Sequence, residues 1–187
     1  LEYSELNIRQ KVWIDNYFTT AIFPILTPLA VDPSHPFPFI SNLSLNLAAI
    51  IVDSESNKEQ FTRIKIPGES ISRFISIPIE LNNNESTKYT GIAIEEIIAN
   101  NLSMLFPGMC VKEYSFFRVT RDADLELRDI EADDLMSALE EGLRKRRKGG
   151  EVVRLEVSTN TPTIILDLLQ EGMNIDKENL YKIEGFL

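Results

Sequence analysis

The sequence is poor in the residues that mark many functional classes. It has one cysteine, Cys110, and one histidine, His35, among 187 residues. A single cysteine excludes an internal disulfide and a cysteine-cluster metal site, and a single histidine excludes histidine-rich metal sites. We expect Cys110 to be a small buried side chain beside a turn. For His35 we expect a structural hydrogen-bonding role, with a ligand or catalytic role as the alternative.

Long apolar runs and glycine-rich loops are also missing. No run approaches the ~18 consecutive apolar residues that a membrane helix needs, and the start carries no signal-peptide pattern, so the expectation is a cytoplasmic protein without a membrane span. Neither glycine signature for nucleotide phosphates occurs. No serine or carboxylate has a neighbourhood that marks a nucleophile, so no catalytic residue and no metal site are assigned in this chain.

Positive charge is in deficit, with 19 Lys and Arg against 29 Asp and Glu and a formal net charge of -10. This balance argues against nucleic-acid binding, which relies on a basic surface, although it permits one local basic patch. The length and the 43% hydrophobic content suit one soluble domain with a buried core. We divide the chain into a connecting helix, residues 1–20, and a domain, residues 21–187.

Hydrophobic periodicity predicts strands and helices that interleave without a regular βαβ rhythm. The expected class is therefore α/β (α+β), a mixed β-sheet with helices packed on it, preceded by an N-terminal helix. Residues 21–39 contain five prolines, which predict a stiff, extended, partly buried segment. The predicted strands cover residues 44–52, 60–66, 73–77, 111–120, 151–157 and 180–183, and the predicted helices residues 3–18, 94–105, 129–148 and 160–172.

Residues 111–128 join a strand-like half to a charged half, and two arginines lie where they meet. Arg118 and Arg121 could bind an anion such as phosphate. The simpler interpretation is pairing inside the protein with acidic neighbours such as Asp122 and Asp124. The alternative is that these carboxylates hold a divalent ion beside phosphate oxygens.

A second basic group ends the predicted helix 129–148 and precedes two glycines. One interpretation is a solvated helix end that complements the helix dipole. The other is an anion cradle, because cations on one helical turn can neutralise closely spaced phosphates. Its members are Arg144, Lys145, Arg146, Arg147 and Lys148.

Several blocks, taken together, resemble one known family. They are residues 23–32 (Phe-Pro-Ile-Leu-Thr-Pro-Leu-Ala-Val-Asp) with 36–39 (Pro-Phe-Pro-Phe), residues 105–109 (Leu-Phe-Pro-Gly-Met), residues 117–125 (Phe-Arg-Val-Thr-Arg-Asp-Ala-Asp-Leu), and residues 145–149 (Lys-Arg-Arg-Lys-Gly) with 153–156 (Val-Arg-Leu-Glu). In order and spacing they resemble the middle, or head, domain of bacterial polyphosphate kinase. The resemblance covers nearly the whole chain from about residue 15.

The resemblance implies a multidomain parent enzyme that reversibly transfers the terminal phosphate of ATP to inorganic polyphosphate. It implies a phosphohistidine intermediate and Mg, with the phosphorylated histidine in phospholipase-D-like domains that nothing in this chain matches. His35 is therefore not that residue. An N-terminal helical domain would precede the head, and no cofactor is expected in this fragment itself.

For the head domain the resemblance implies a structural role, in dimer contacts and in the tunnel through which phosphate passes. A homo-oligomer in the full-length protein is expected, with membrane association through the parent complex left open. Our hypothesis is that Arg118, Arg121 and the basic group at residues 144–148 lie toward the phosphate path. The alternative is a stand-alone self-associating module without catalysis.

Overall fold

The structure, a computed structural model, describes residues 1–31, 37–68, 70–82, 89–122 and 150–187. Within these ranges the chain forms a six-stranded mixed sheet and a two-stranded antiparallel sheet, with helices packed on them. The predicted α/β (α+β) class is confirmed. The strands are β1 (Leu29–Val31), β2 (Leu45–Asp53), β3 (Glu59–Lys65), β4 (Phe74–Ser76), β5 (Gly91–Ala93), β6 (Met109–Arg121), β7 (Val152–Ser158) and β8 (Leu180–Ile183).

The large sheet has the order β1-β3-β2-β6-β7-β8, and β4 pairs with β5 in the small sheet. All neighbouring strands are antiparallel except β7 and β8. This parallel pair is possible because a helix of residues Thr163–Met173 joins the two strands as a crossover. The other α-helices in the described ranges are α1 (Ile8–Tyr17), α2 (Ile94–Asn100) and α3 (Leu102–Leu105), and we number the crossover helix α4.

Strand β2 is almost continuously apolar because helices and loops cover both faces of the sheet. On one face Leu47 and Ile64 pack with Ile14 and Ile94 from helices α1 and α2. On the other face a second core lies under α4; it includes Phe117, Val119, Leu155, Val157, Ile165 and Leu169. A strand covered on both faces loses the apolar and polar alternation of a half-exposed strand, and β2 does so.

The N-terminal helix is more complex than predicted. It consists of a 3-10 turn (Tyr3–Glu5), α1, and a π-helical turn (Phe18–Ile22). Ile14, Phe18 and Ile22 are fully buried in the core on the first face of the sheet. The helix therefore packs on the sheet, and the division of the chain at residue 20 stays a prediction.

The proline-rich segment was predicted as extended, and this is wrong for its first residues. Residues 23–25 form a 3-10 turn with Pro24 in its first positions. Proline is compatible with the first turn of a helix because the N–H it lacks would have no intrahelical acceptor there. Further along, Leu29–Val31 forms the edge strand β1, which pairs with β3. An edge position suits a proline-rich segment because proline cannot donate a hydrogen bond to a neighbouring strand.

Two further local predictions needed correction. The predicted helix 94–105 is interrupted at Asn101, whose side-chain amide donates to the Ile97 carbonyl oxygen over 2.9 Å. Cys110 is exposed rather than buried, with its Sγ 3.8 Å from Ser54 Oγ. Across the described ranges, no helix has the length and apolar character needed to cross a membrane.

Candidate functional site

Strand β6 directs its two candidate arginines to opposite faces of the sheet. Successive side chains of a strand point to opposite faces, so positions three apart cannot share one. Arg118 lies directly opposite Glu156 of β7. Arg121 is on the face of the second core, with its guanidinium 4.3 Å from the centre of the Phe39 ring. The sequence had suggested one anion-binding region, and the structure separates it into two.

On the first face, Arg118 belongs to what we call the Glu156 cluster: Arg118, Arg154, Glu156 and Tyr181. Arg118 Nε donates to Glu156 Oε2 over 2.6 Å. Arg154 donates to Glu156 Oε1 through Nε over 3.0 Å and Nη2 over 2.8 Å. The ring of Tyr181 packs against Arg154, with the ring centre 4.0 Å from the guanidinium carbon. One carboxylate thus holds two guanidinium groups in place.

The Glu156 cluster keeps a net positive charge. Burial would raise the pKa of the Glu156 carboxyl, but the hydrogen bonds and charges of Arg118 and Arg154 outweigh it and hold that pKa below its ordinary value. The carboxylate is therefore ionised at neutral pH. Two guanidinium cations and one carboxylate leave a charge of +1, since arginine does not lose its proton in proteins.

The strand register assembles this cluster. Arg118 faces Glu156 across the β6–β7 ladder, and Thr120 faces Arg154. Tyr181 of β8 faces Glu156 from the other side. Arg118 thus pairs inside the protein with a carboxylate of the neighbouring strand, and its role in binding an anion stays a prediction.

On the second face, Arg121 is held by main-chain groups. Its Nε donates to the Ile40 carbonyl oxygen and its Nη1 to the Gly150 carbonyl oxygen, both over 2.7 Å. Its own amide donates to Asn42 Oδ1 over 2.8 Å. These bonds join the end of β6 to the segments that precede β2 and β7, and burial lowers the pKa of Arg121.

A groove of about 790 Å³ opens beside this arginine. We call it the Arg121 groove. The ring of Phe37 lies so close to Gly172 that a Cβ atom there would be 2.2 Å from its Cδ2 atom. The lining is Phe37, Pro38, Phe39, Arg121, Glu151, Val152, Gly172, Met173 and Asn174.

Sequence reasoning missed Arg154, Glu156 and Tyr181 as site residues. The signal was partly visible in the sequence, because side chains alternate along a strand, so apolar Leu155 and Val157 on one face leave Arg154 and Glu156 together on the other. What the pattern could not supply was the neighbouring strand. The basic group at residues 144–148 and His35 lie outside the described residues, so their predicted roles stay predictions.

Comparison with known proteins identifies a family. The family model described as the polyphosphate kinase middle domain matches residues 9–187. The polyphosphate kinase of Prochlorococcus marinus (strain MIT 9313) is 58% identical over 188 residues, which cover 100% of this chain and 26% of that protein. The polyphosphate kinase of Parasynechococcus marenigrum (strain WH8102) is 56% identical over 186 residues, covering 99% of this chain and 26% of that protein. The chain thus spans about a quarter of the length of these relatives.

A solved structure supports the fold. The crystal structure of the polyphosphate kinase from Porphyromonas gingivalis superimposes with a TM-score of 0.74 and 22% sequence identity. The superposition covers 97% of this chain and 24% of that one. At this identity the likeness concerns the fold alone.

Proposed function

This chain belongs to the polyphosphate kinase middle-domain family, and on that premise we propose that it is the head domain of a polyphosphate kinase. The parent enzyme would reversibly transfer the terminal phosphate of ATP to inorganic polyphosphate through a phosphohistidine, with ATP and Mg bound by the whole protein. The head would have a structural role, supporting dimerisation and the phosphate tunnel. We propose a cytoplasmic location for this enzyme.

The observation that carries this proposal is the family match over residues 9–187 in a chain that spans 26% of its relatives. The rest of such a protein leaves room for flanking domains, which we propose are an N-terminal helical domain and phospholipase-D-like domains with the catalytic histidine. The one histidine of this chain, His35, lies in the proline-rich segment and matches no catalytic motif.

The part of the head that we place toward the phosphate path is the face of the sheet that carries Arg118. The guanidinium group of Arg118 is anchored by Glu156 and its side chain is 31% exposed. A cation that is both fixed and exposed can meet an anion without first losing the freedom of a long side chain. For Arg121 and residues 144–148 the same role stays a prediction.

The decisive experiment is a phosphoryl-transfer assay with ATP, Mg and polyphosphate on this chain beside the longer protein that contains it. We expect the longer protein to extend polyphosphate and this chain to show no activity above the background without enzyme. As a control, the head chain is added to the longer protein to exclude an inhibitor in the preparation. Turnover by the head chain alone would overturn its structural role.

Self-association of the head would be measured separately. Exposed apolar side chains, such as Phe74 (51% exposed) and Phe186 (60% exposed), could support a contact between copies. Sedimentation equilibrium of the head chain over a range of concentrations tests this. A monomer at every concentration, together with a dimeric longer protein, would assign dimerisation to other domains.

A further inference from the structure

We infer that the Glu156 cluster is a binding site for a phosphoryl group of an inorganic phosphate chain, in which Arg118 and Arg154 contact the phosphate oxygens and Glu156 positions them. The identity of the phosphate chain as polyphosphate rests on the proposed function. The existence of the phosphate site does not, because it is argued from the contacts and charges of the cluster alone.

The first step concerns charge. A single arginine would neutralise the one carboxylate, so a purely structural ion pair needs no second guanidinium. With Arg154 added, the cluster carries +1 in a chain whose formal net charge is -10. A local surplus of positive charge in an acidic protein provides a place where an anion is attracted.

The second step concerns geometry. The side chains of Arg118 and Arg154 are 31% and 40% exposed, whereas that of Glu156 is 11% exposed. The carboxylate therefore lies beneath the two guanidinium groups. Arg118 donates to Glu156 through Nε, and Arg154 donates through Nε and Nη2. Within the described part of the chain, Nη1 and Nη2 of Arg118 and Nη1 of Arg154 make no side-chain hydrogen bond.

The third step concerns the ligand. The remaining Nη donors belong to two planar groups that are anchored side by side, and a phosphoryl group presents several oxygens that such donors can contact at the same time. Tyr181 limits the motion of Arg154, since a cation above an aromatic ring is attracted to its face. A group preorganised in this way loses little conformational entropy when the phosphate binds.

The test is a titration of the head chain with inorganic tripolyphosphate, monitored by isothermal calorimetry. We expect Arg154→Ala and Arg118→Ala each to raise the Kd at least about tenfold, the loss typical of a hydrogen bond to a charged group. Arg154→Lys keeps the charge and loses the planar fork, so its Kd should lie between wild type and Arg154→Ala. The matched control is Lys182→Ala, which removes one charge from the opposite face of β8 and should leave the Kd unchanged.

A second variant keeps the site testable if an arginine variant fails to fold. Tyr181 is 42% exposed, so Tyr181→Ala should fold even where an arginine variant does not. We expect it to raise the Kd about threefold by releasing Arg154. An unchanged Kd in folded Tyr181→Ala and Arg154→Ala, checked by circular dichroism and thermal unfolding, would overturn the site.

Two further arms identify the ligand and separate this inference from the proposed function. Citrate, a tricarboxylate, should bind more weakly than tripolyphosphate, and Arg154→Ala should reduce its affinity less. Equal losses of affinity for the two anions would show that the cluster binds anions in general and is not specific for phosphate. In the longer protein, Arg154→Ala should raise the KM for polyphosphate more than it lowers kcat. If the head chain binds tripolyphosphate but the longer protein has no kinase activity, the proposed function is wrong and the site stands. If the longer protein is an active kinase but Arg154→Ala leaves the Kd for tripolyphosphate unchanged, the site is wrong and the proposed function stands.

Discussion

Arg118 and Arg121 are the same residue type, three positions apart on one strand, yet their guanidinium groups do different things. Arg118 shares a carboxylate with Arg154, and the resulting cluster keeps a positive charge near the surface. Arg121 donates to two main-chain carbonyl groups and lies against an aromatic ring. The difference shows that the face of the sheet and the neighbouring strand decide whether an arginine keeps its charge near the surface or uses it to join segments of the fold.

The largest expected effect comes from the residue that precedes Arg118 on β6. Phe117 is fully buried in the core under α4, so Phe117→Ala should lower the free energy of unfolding by about 4 kcal/mol. Urea denaturation measures this loss. The matched control is Tyr114→Ala on the same strand, whose side chain is 45% exposed and which should lose much less. Equal losses would show that β6 is not held chiefly by the second core.

The next effect separates the two arginines directly. Arg121→Ala leaves two carbonyl groups without their charged donor, so we expect it to lower the free energy of unfolding by about 3 kcal/mol. Arg118→Ala should cost less, because Arg154 still neutralises Glu156. Both are measured by urea denaturation, with Arg121→Lys as the variant that keeps the charge. A greater loss of stability in Arg118→Ala than in Arg121→Ala would reverse the comparison.

The smallest effect concerns Glu156 and depends on pH. Glu156→Gln removes the charge that neutralises one guanidinium, and we expect it to lower the free energy of unfolding by about 2 kcal/mol at neutral pH, between the values for buried and exposed ion pairs. The pKa of Glu156 is lowered in the folded protein from an ordinary 4.5. Its contribution to stability is therefore present above pH 4.5 and is lost as the pH falls through the lower, folded-state pKa.

Thermal or urea unfolding of wild type and Glu156→Gln over a pH series tests this sign. The stability difference between them should be widest near neutral pH and should shrink as the solution is acidified. The control is Glu59→Gln, which changes an exposed carboxylate paired with Lys112 and should have a smaller effect. A difference between wild type and Glu156→Gln that grows on acidification would contradict the lowered pKa.

Strands were predicted better than helix ends and loops. Strand β8 (Leu180–Ile183) was predicted to the residue, and β2, β3 and β7 to within one residue or so at each end. The apolar pattern of a strand, whether alternating or continuous, is a local property that a short segment displays by itself. The interruption at Asn101 and the helical turn at Pro24 depend on side-chain hydrogen bonds and on packing, which periodicity does not report.

The candidate site was predicted only in part. Arg118 and Arg121 stood out because they lie where an apolar strand meets a charged segment. Their placement on opposite faces is a consequence of the strand period of two, which depends on sequence spacing alone. Glu156 and Arg154 are more than thirty positions away in the sequence, so their contact with Arg118 required knowledge of the β6–β7 register.

By itself, the sequence determined the fold class, most of the strands and the family resemblance, because these depend on local periodicity and on the order of motifs along one chain. Only the tertiary structure decided which strands are neighbours, which carboxylate meets Arg118 and which carbonyl groups meet Arg121. The physical reason is that a β-sheet joins residues across strands through hydrogen bonds whose partners are set by topology and register. A charge therefore acquires its role from a neighbour that is distant in sequence.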